Sequence, residues 1–163
     1  MNANDNHSVI CVAGGSGSLG YAIARKFVSE GFQVALSGYS SEKLKLAAEK
    51  LRSEFTGSRI LAVSCDVTNE SDVIDLFNAI EEQTGKSICT LVNAVAAPAT
   101  LSSVTNLDFR EWKKMIDIDL NGAFLLSKYA VPPMINAGFG RVIHFTSFHN
   151  IGTYPHRVPY NAA

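Results

Sequence analysis

Ser147 and Tyr160, thirteen residues apart, are the side chains in this sequence best suited to handling a carbonyl group and a proton. Ser147 closes an apolar run, residues 141–147, that reads as a strand. A serine there can hydrogen-bond a carbonyl oxygen. A tyrosine beside it can give or take the proton that accompanies hydride transfer. Type and spacing alone describe a strand-end serine and a packed tyrosine equally well, and on those grounds that plainer reading leads.

The second chemical feature is a glycine-rich turn, Gly14-Gly15-Ser16-Gly17-Ser18-Leu19-Gly20, which contains G-x-G-x-x-G from Gly15 to Gly20. It follows an apolar run and precedes a helical pattern. Glycines let the backbone turn tightly and approach a pyrophosphate. The helix start then offers free N–H groups and the positive end of its dipole. A tight turn without a ligand is the alternative, and the position after the first strand favours the phosphate reading. The acid that would bind a free ribose 2′-hydroxyl is expected about twenty residues on. That place reads Ser37-Gly38-Tyr39-Ser40-Ser41, without Asp or Glu. Its absence, with room at Gly38 and hydroxyls nearby, favours NADP(H) over NAD(H). No arginine replaces the acid; Lys43 or Lys45 could serve, although the plainer reading of both is as solvated helix-surface residues.

These features need elements to position them. Strands are expected over residues 9–13, 32–37, 59–65, 88–93 and 141–147. Between them, Leu19, Ile23 and Phe27 share one helical face, closed by Gly31. Ser40 or Ser41 caps a helix that turns Leu44, Ala47, Ala48 and Leu51 inward. Thr68 or Asn69 starts the next, with Val73, Leu76, Phe77 and Ile80 inward and Gly85 at its end. Asp108 and Glu111 form a capping-box pattern opening a long helix with Phe109, Trp112, Met115 and Ile116, which Pro132 and Pro133 close or kink. Strands alternating with helices imply an α/β fold: a Rossmann-like, doubly wound parallel sheet in three layers, forming one domain over residues 1–163. Strands this apolar leave no solvent-facing side. The C-terminus falls at what reads as the start of a fifth helix, so the expected domain is incomplete at its last element.

Composition narrows the function. The 163 residues are 47% hydrophobic and 18% charged, with a formal net charge of -1, an ordinary globular balance. No basic run suggests nucleic acid, and no apolar run suggests a membrane span. The polar start, MNANDNHS, does not read as a secretory signal. Cys11, Cys65 and Cys89 lack metal-ligand spacing and read as buried thiols in a reducing cytoplasm. His7, His144, His149 and His156 form no metal set. His144 reads as a satisfied core or interface residue. His149, His156, Tyr154 and Arg157 fall between Ser147 and Tyr160, within reach of a substrate.

Together these segments resemble the classical short-chain dehydrogenase/reductase family. Ala13-Gly14-x-x-x-Ser18-x-Gly20 is similar to its T-G-x-x-x-G-x-G turn. Cys65-Asp66-Val67-Thr68 resembles its D-V-T segment, and Leu91-Val92-Asn93-Ala94 its L-V-N-N-A-G strand end. Thr146-Ser147 and Tyr160-Asn161-Ala162-Ala163 resemble its serine strand and the opening of Y-x-x-x-K. The resemblance implies that Ser147 orients a substrate carbonyl and Tyr160 is the general acid or base. It implies a dinucleotide held by Gly14, Ser16, Gly17, Ser18, Leu19 and Gly20, by Tyr39 and Ser40, by Asp66 and Val67 at the adenine, and by Asn93 and Ala94. It further implies a small carbonyl or alcohol substrate, with a 3-oxoacyl thioester the nearest concrete guess, and a homodimer or tetramer paired through the long helix.

Four departures qualify these roles. Ala13 and Ser18 replace a threonine and a glycine, and Gly14, Gly17 and Gly20 match the spacing of the extended, epimerase-like branch. The N-N-A-G segment is reduced to Asn93-Ala94-Val95-Ala96. The usual catalytic asparagine aligns with Asp119, with Asn121 the second choice. The lysine of Y-x-x-x-K would follow Ala163, the last residue of the sequence. Ionising a tyrosine at neutral pH costs about 4 kcal/mol, which a neighbouring ammonium offsets. This sequence by itself is therefore expected to turn over substrate poorly. A non-catalytic dinucleotide-binding module or pseudoenzyme is the competing expectation.

Overall fold

A computed structural model describes residues 9–98, 100–148, 152 and 154–163. Five parallel strands, β1 (Val9–Ala13), β2 (Gln33–Gly38), β3 (Ile60–Ser64), β4 (Ile88–Asn93) and β5 (Arg141–His144), lie in the order β3-β2-β1-β4-β5. Cys11 pairs with Ala35 on one side and Leu91 on the other, so β1 is the central strand. Its side chains alternate between two cores. Val9, Cys11 and Ala13 pack with Val73, Leu76 and Ile80 of α3 (Glu70–Thr84) and Leu126 of α5 (Gly122–Asn136). Ile10 and Val12 pack with Ala24 and Val28 of α1 (Ser18–Ser29) and Leu44 and Leu51 of α2 (Ser41–Glu54). Helices thus cover both faces, and each fully buried leucine contributes about 1.5–3 kcal/mol. The strand order reverses between β1 and β4, so a crevice opens beyond their carboxyl ends.

The elements follow local chemistry. Ser40 caps α2, accepting from the Lys43 N–H at 3.4 Å. Asn69, rather than Thr68, caps α3, accepting from the Ser71 N–H at 3.0 Å. Asp108 caps α4 (Phe109–Met115) through the Arg110 N–H at 2.8 Å. The Arg110 guanidinium beside Asp108 holds that carboxyl down at about 2.

Several expectations need correction. The fully buried line of α1 is Gly20, Ala24 and Val28; Ile23 and Phe27 are half-buried and pack against the same core, and Leu19 does not. Small residues let this helix sit close to the glycine turn, and Leu19 is left 49% exposed. The capping box is half made: Glu111 accepts from Thr100 Oγ1 at 3.0 Å instead of returning to its cap. Pro132 and Pro133 lie inside α5, which continues to Asn136. Between α4 and α5 the long helix widens into a π turn, Ile116–Asn121, which no sequence period announces. β5 stops at His144, three residues short of Ser147, and its residues are exposed or half-buried. An edge strand lacks a second neighbour, so the expectation of fully covered strands fails there.

Candidate functional site

Two cavities adjoin at the carboxyl ends of the strands, sharing Ala94, Val95 and Ala96 as a common wall. The first, about 860 Å³, is lined by Gly14, Ser16, Gly17, Tyr39, Ser40, Asp66, Val67 and Ala94 of the expected set. The second, about 430 Å³, is lined by Leu19, Asn93, Ala94, Asp119, Ser147 and Tyr160. The serine and tyrosine therefore share one cavity, next to the one over the glycine turn. Ser18 and Gly20 line neither: Ser18 is the first residue of α1, and Gly20 is buried under the turn.

The turn is built for close approach. Gly14 has φ +75°, and a side chain there would meet the Ala94 carbonyl oxygen at 2.6 Å. A Cβ on Gly20 would collide with the Gly14 carbonyl oxygen. Gly17 caps α1 without a side-chain hydrogen bond, so the first amides of that helix keep their donors. A phosphate fits such donors. Asp66 is held by its neighbours: Oδ1 accepts from the Thr68 N–H at 2.9 Å and the Thr68 hydroxyl at 2.7 Å. The Asp66 N–H is anchored on Asp72 Oδ2 at 3.1 Å. Cys65 lines the same cavity, and burial, with Asp72 adding to it, pushes its thiol up to about 11. It stays a neutral wall residue.

Sequence reasoning missed some of the lining. Lys43 lines the first cavity and Lys45 does not, and both are exposed on α2 as expected of helix-surface residues. Lys114 from α4 and Asp117 and Ile118 from the π turn enter the same wall. In the second cavity His144 lines the wall, which corrects its assignment to core or interface. It is exposed yet bonded through both ring nitrogens, to Asn93 and to Ser127.

Asp119 sits in the π turn, half-buried, and accepts from the Ala97 N–H at 2.7 Å. Desolvation by burial raises its carboxyl above the usual range, while that hydrogen bond pulls it back. Asn121 instead donates to Asp117 Oδ1 at 2.9 Å and lines neither cavity. His156 has φ +62°, and its carbonyl accepts from the Ser102 N–H at 2.9 Å. Neither His156 nor Tyr154 lines these cavities. The Arg157 guanidinium lies 6.0 Å from the Tyr160 ring centroid. His7 and His149 fall outside the described residues. Among the described residues, no helix is long and apolar enough to cross a membrane.

Residues 8–163 match the family described as short chain dehydrogenase, and the chain belongs to that family. It is 31% identical over 157 residues to the NADP-dependent (R)-specific alcohol dehydrogenase of Lentilactobacillus kefiri, covering 95% of this chain and 60% of that protein. An actinorhodin polyketide ketoreductase solved with NADPH superposes at a TM-score of 0.89, with 26% identity over 96% of this chain and 59% of the other. An NAD+-bound xylitol dehydrogenase gives the same TM-score at 25% identity, covering 98% of this chain and 60% of the other. The chain spans between 56% and 60% of the length of three curated relatives that it matches over 95% of its own length. The glycine cradle, the uncapped helix start and the Asp66 carboxylate fit the nicotinamide dinucleotide that this family uses.

Proposed function

We propose that the chain carries the dinucleotide site and the acid–base pair of an oxidoreductase that interconverts a ketone and a secondary alcohol with NADP(H). The observation that carries the reading is the pair of adjoining cavities, one over the glycine turn and one holding Ser147 and Tyr160. When bound, the nicotinamide supplies or accepts the hydride. The amides at the start of α1 hold the phosphates, and Asp66 and Val67 hold the adenine. Lys43, Ser40 and Tyr39 stand where an acid would otherwise bind the 2′-hydroxyl, and a lysine there favours a 2′-phosphate.

Ser147 orients the carbonyl oxygen. Tyr160 gives its proton to that oxygen in reduction and takes it back in oxidation. Asp119 holds the Ala97 N–H and, with its raised carboxyl, is the second proton-handling group of the cavity. The likeness to a polyketide ketoreductase supports a 3-oxoacyl thioester as the carbonyl class.

The test is NADPH consumption by the intact gene product, because residues 1–163 by themselves are expected to turn over poorly, with a panel of ketones and 3-oxoacyl thioesters. Tyr160→Phe should lower kcat by about a hundredfold or more while leaving NADPH binding in place. A native protein that binds NADPH but reduces no carbonyl would support a non-catalytic dinucleotide-binding module instead.

A further inference from the structure

His144 ends β5 opposite Asn93 at the end of β4. Its Nδ1 lies 3.3 Å from Asn93 Nδ2, and its Nε2 lies 3.0 Å from Ser127 Oγ. The neighbours fix the direction of both bonds. Asn93 Oδ1 accepts from the Val95 N–H at 3.1 Å, so the amide NH2, a donor, faces the ring. Ser127 Oγ donates its single proton to the Ala123 carbonyl at 2.7 Å, so it can only accept from Nε2. The chain of bonds closes with a neutral imidazole that carries its proton on Nε2 and accepts at Nδ1.

We propose that His144 is a positioning residue. Its neutral ring fixes Asn93, and Asn93 fixes the Val95 segment that walls both cavities. This rests on the dinucleotide reading of the site. Protonation would set Nδ1–H against the Asn93 NH2, donor to donor. Turning the Asn93 amide over would relieve that contact and set its NH2 against the Val95 N–H. Either way one bond of the chain is lost, and the wall between the cavities loosens.

The titratable residues sharing this cavity are Asp119, from the π turn, and Tyr160, from α6 (Val158–Ala162). On α5, Lys128 is engaged with Glu70 and lies over the Tyr129 ring at 5.1 Å. Arg141, on the same strand, lies over the Phe139 ring at 4.9 Å. A pH response of this site could therefore come from Asp119 or His144, and substitutions at position 144 separate them. Asparagine puts an oxygen where Nδ1 stands and keeps the acceptor without a titrating ring. Phenylalanine keeps the ring shape and removes both bonds.

Two measurements test the proposal. A long-range proton–nitrogen NMR spectrum at pH 7.5, assigned with His144→Asn, should show the Nε2–H tautomer. An Nδ1–H tautomer overturns the proposal. Calorimetric titration with NADP+ at pH 8 and pH 5.5, across the range in which imidazoles change charge, gives the functional half. Wild type should lose about tenfold more affinity than His144→Asn on acidification, one hydrogen bond's worth. His144→Phe should bind about tenfold more weakly than wild type at pH 8. Equal pH responses in wild type and His144→Asn overturn the proposal even if His144→Phe fails to fold. A wild type that binds no NADP+ at either pH overturns the dinucleotide reading and the functional half with it. The tautomer then still decides the geometry of the brace.

Discussion

Asp119 shows how one side chain can serve both fold and chemistry. It occupies a π turn, accepts the Ala97 N–H, and has its carboxyl raised by desolvation. A carboxyl raised in the folded state binds its proton more tightly there than in the unfolded chain. Its contribution to stability is therefore complete below the ordinary aspartate range and is lost as pH rises through the raised value. Asp119→Asn keeps an acceptor for the Ala97 N–H and removes the charge. It should melt above wild type at pH 7, with the gap closing on acidification. Asp119→Ala removes the acceptor and should be less stable than Asp119→Asn by about 1–3 kcal/mol, because a buried donor is left unpaired. Thermal melts across pH check both. Asp119 was legible through its resemblance to a catalytic asparagine. His144 was not, because its role depends on Ser127 and Asn93, which are distant in sequence and adjacent only once β5 lies beside β4.

At the scale of elements, the glycine turn divides its own residues. Gly20→Ala puts a methyl group into the Gly14 carbonyl oxygen, backbone against backbone, and neither can yield without moving α1. At Gly38 the nearest atom to an added methyl is Ser16 Oγ at 3.7 Å, an ordinary contact. Gly20→Ala should therefore unfold the chain or lower its melting temperature sharply, while Gly38→Ala should melt close to wild type. Circular dichroism melts distinguish the two. Strands and most caps could be read from the sequence because apolar runs, Ser40, Asn69, Asp108 and Gly85 act through neighbouring residues. The inner face of α1 could not. Leu19, Ile23 and Phe27 carry more apolar area, but Gly20, Ala24 and Val28 are the fully buried line, with Ile23 and Phe27 packed beside it. The π turn was hidden for a similar reason: one extra residue per turn leaves a helical sequence looking helical.

At the scale of the molecule, both edge strands are incompletely covered, β3 mostly half-buried and β5 the more exposed. β5 is an edge strand with exposed and half-buried residues. Near it, Phe145 is 48% and Phe148 is 68% exposed, and Ile135 on α5 reaches 71%. Exposed apolar side chains beside an unpaired strand edge favour association. The chain should sediment as concentration-dependent assemblies at micromolar protein, with the sheet itself intact. A single monomeric boundary over a hundredfold range of concentration would refute this expectation. The doubly wound topology was legible from the alternation of strands and helices. The exposure of β5 fits Arg141 and His144, polar residues at the two ends of a run otherwise expected to be covered.

The account depends on backbone amides near residues 14–20 receiving a dinucleotide's phosphates. Fluorescence titration of the protein with NADPH and with NADH tests that most directly. The structure of the turn predicts saturable binding of both, and Lys43 beside Ser40 predicts the tighter binding for NADPH. Tighter binding of NADH would contradict the cofactor preference, and failure to bind either would contradict the site itself.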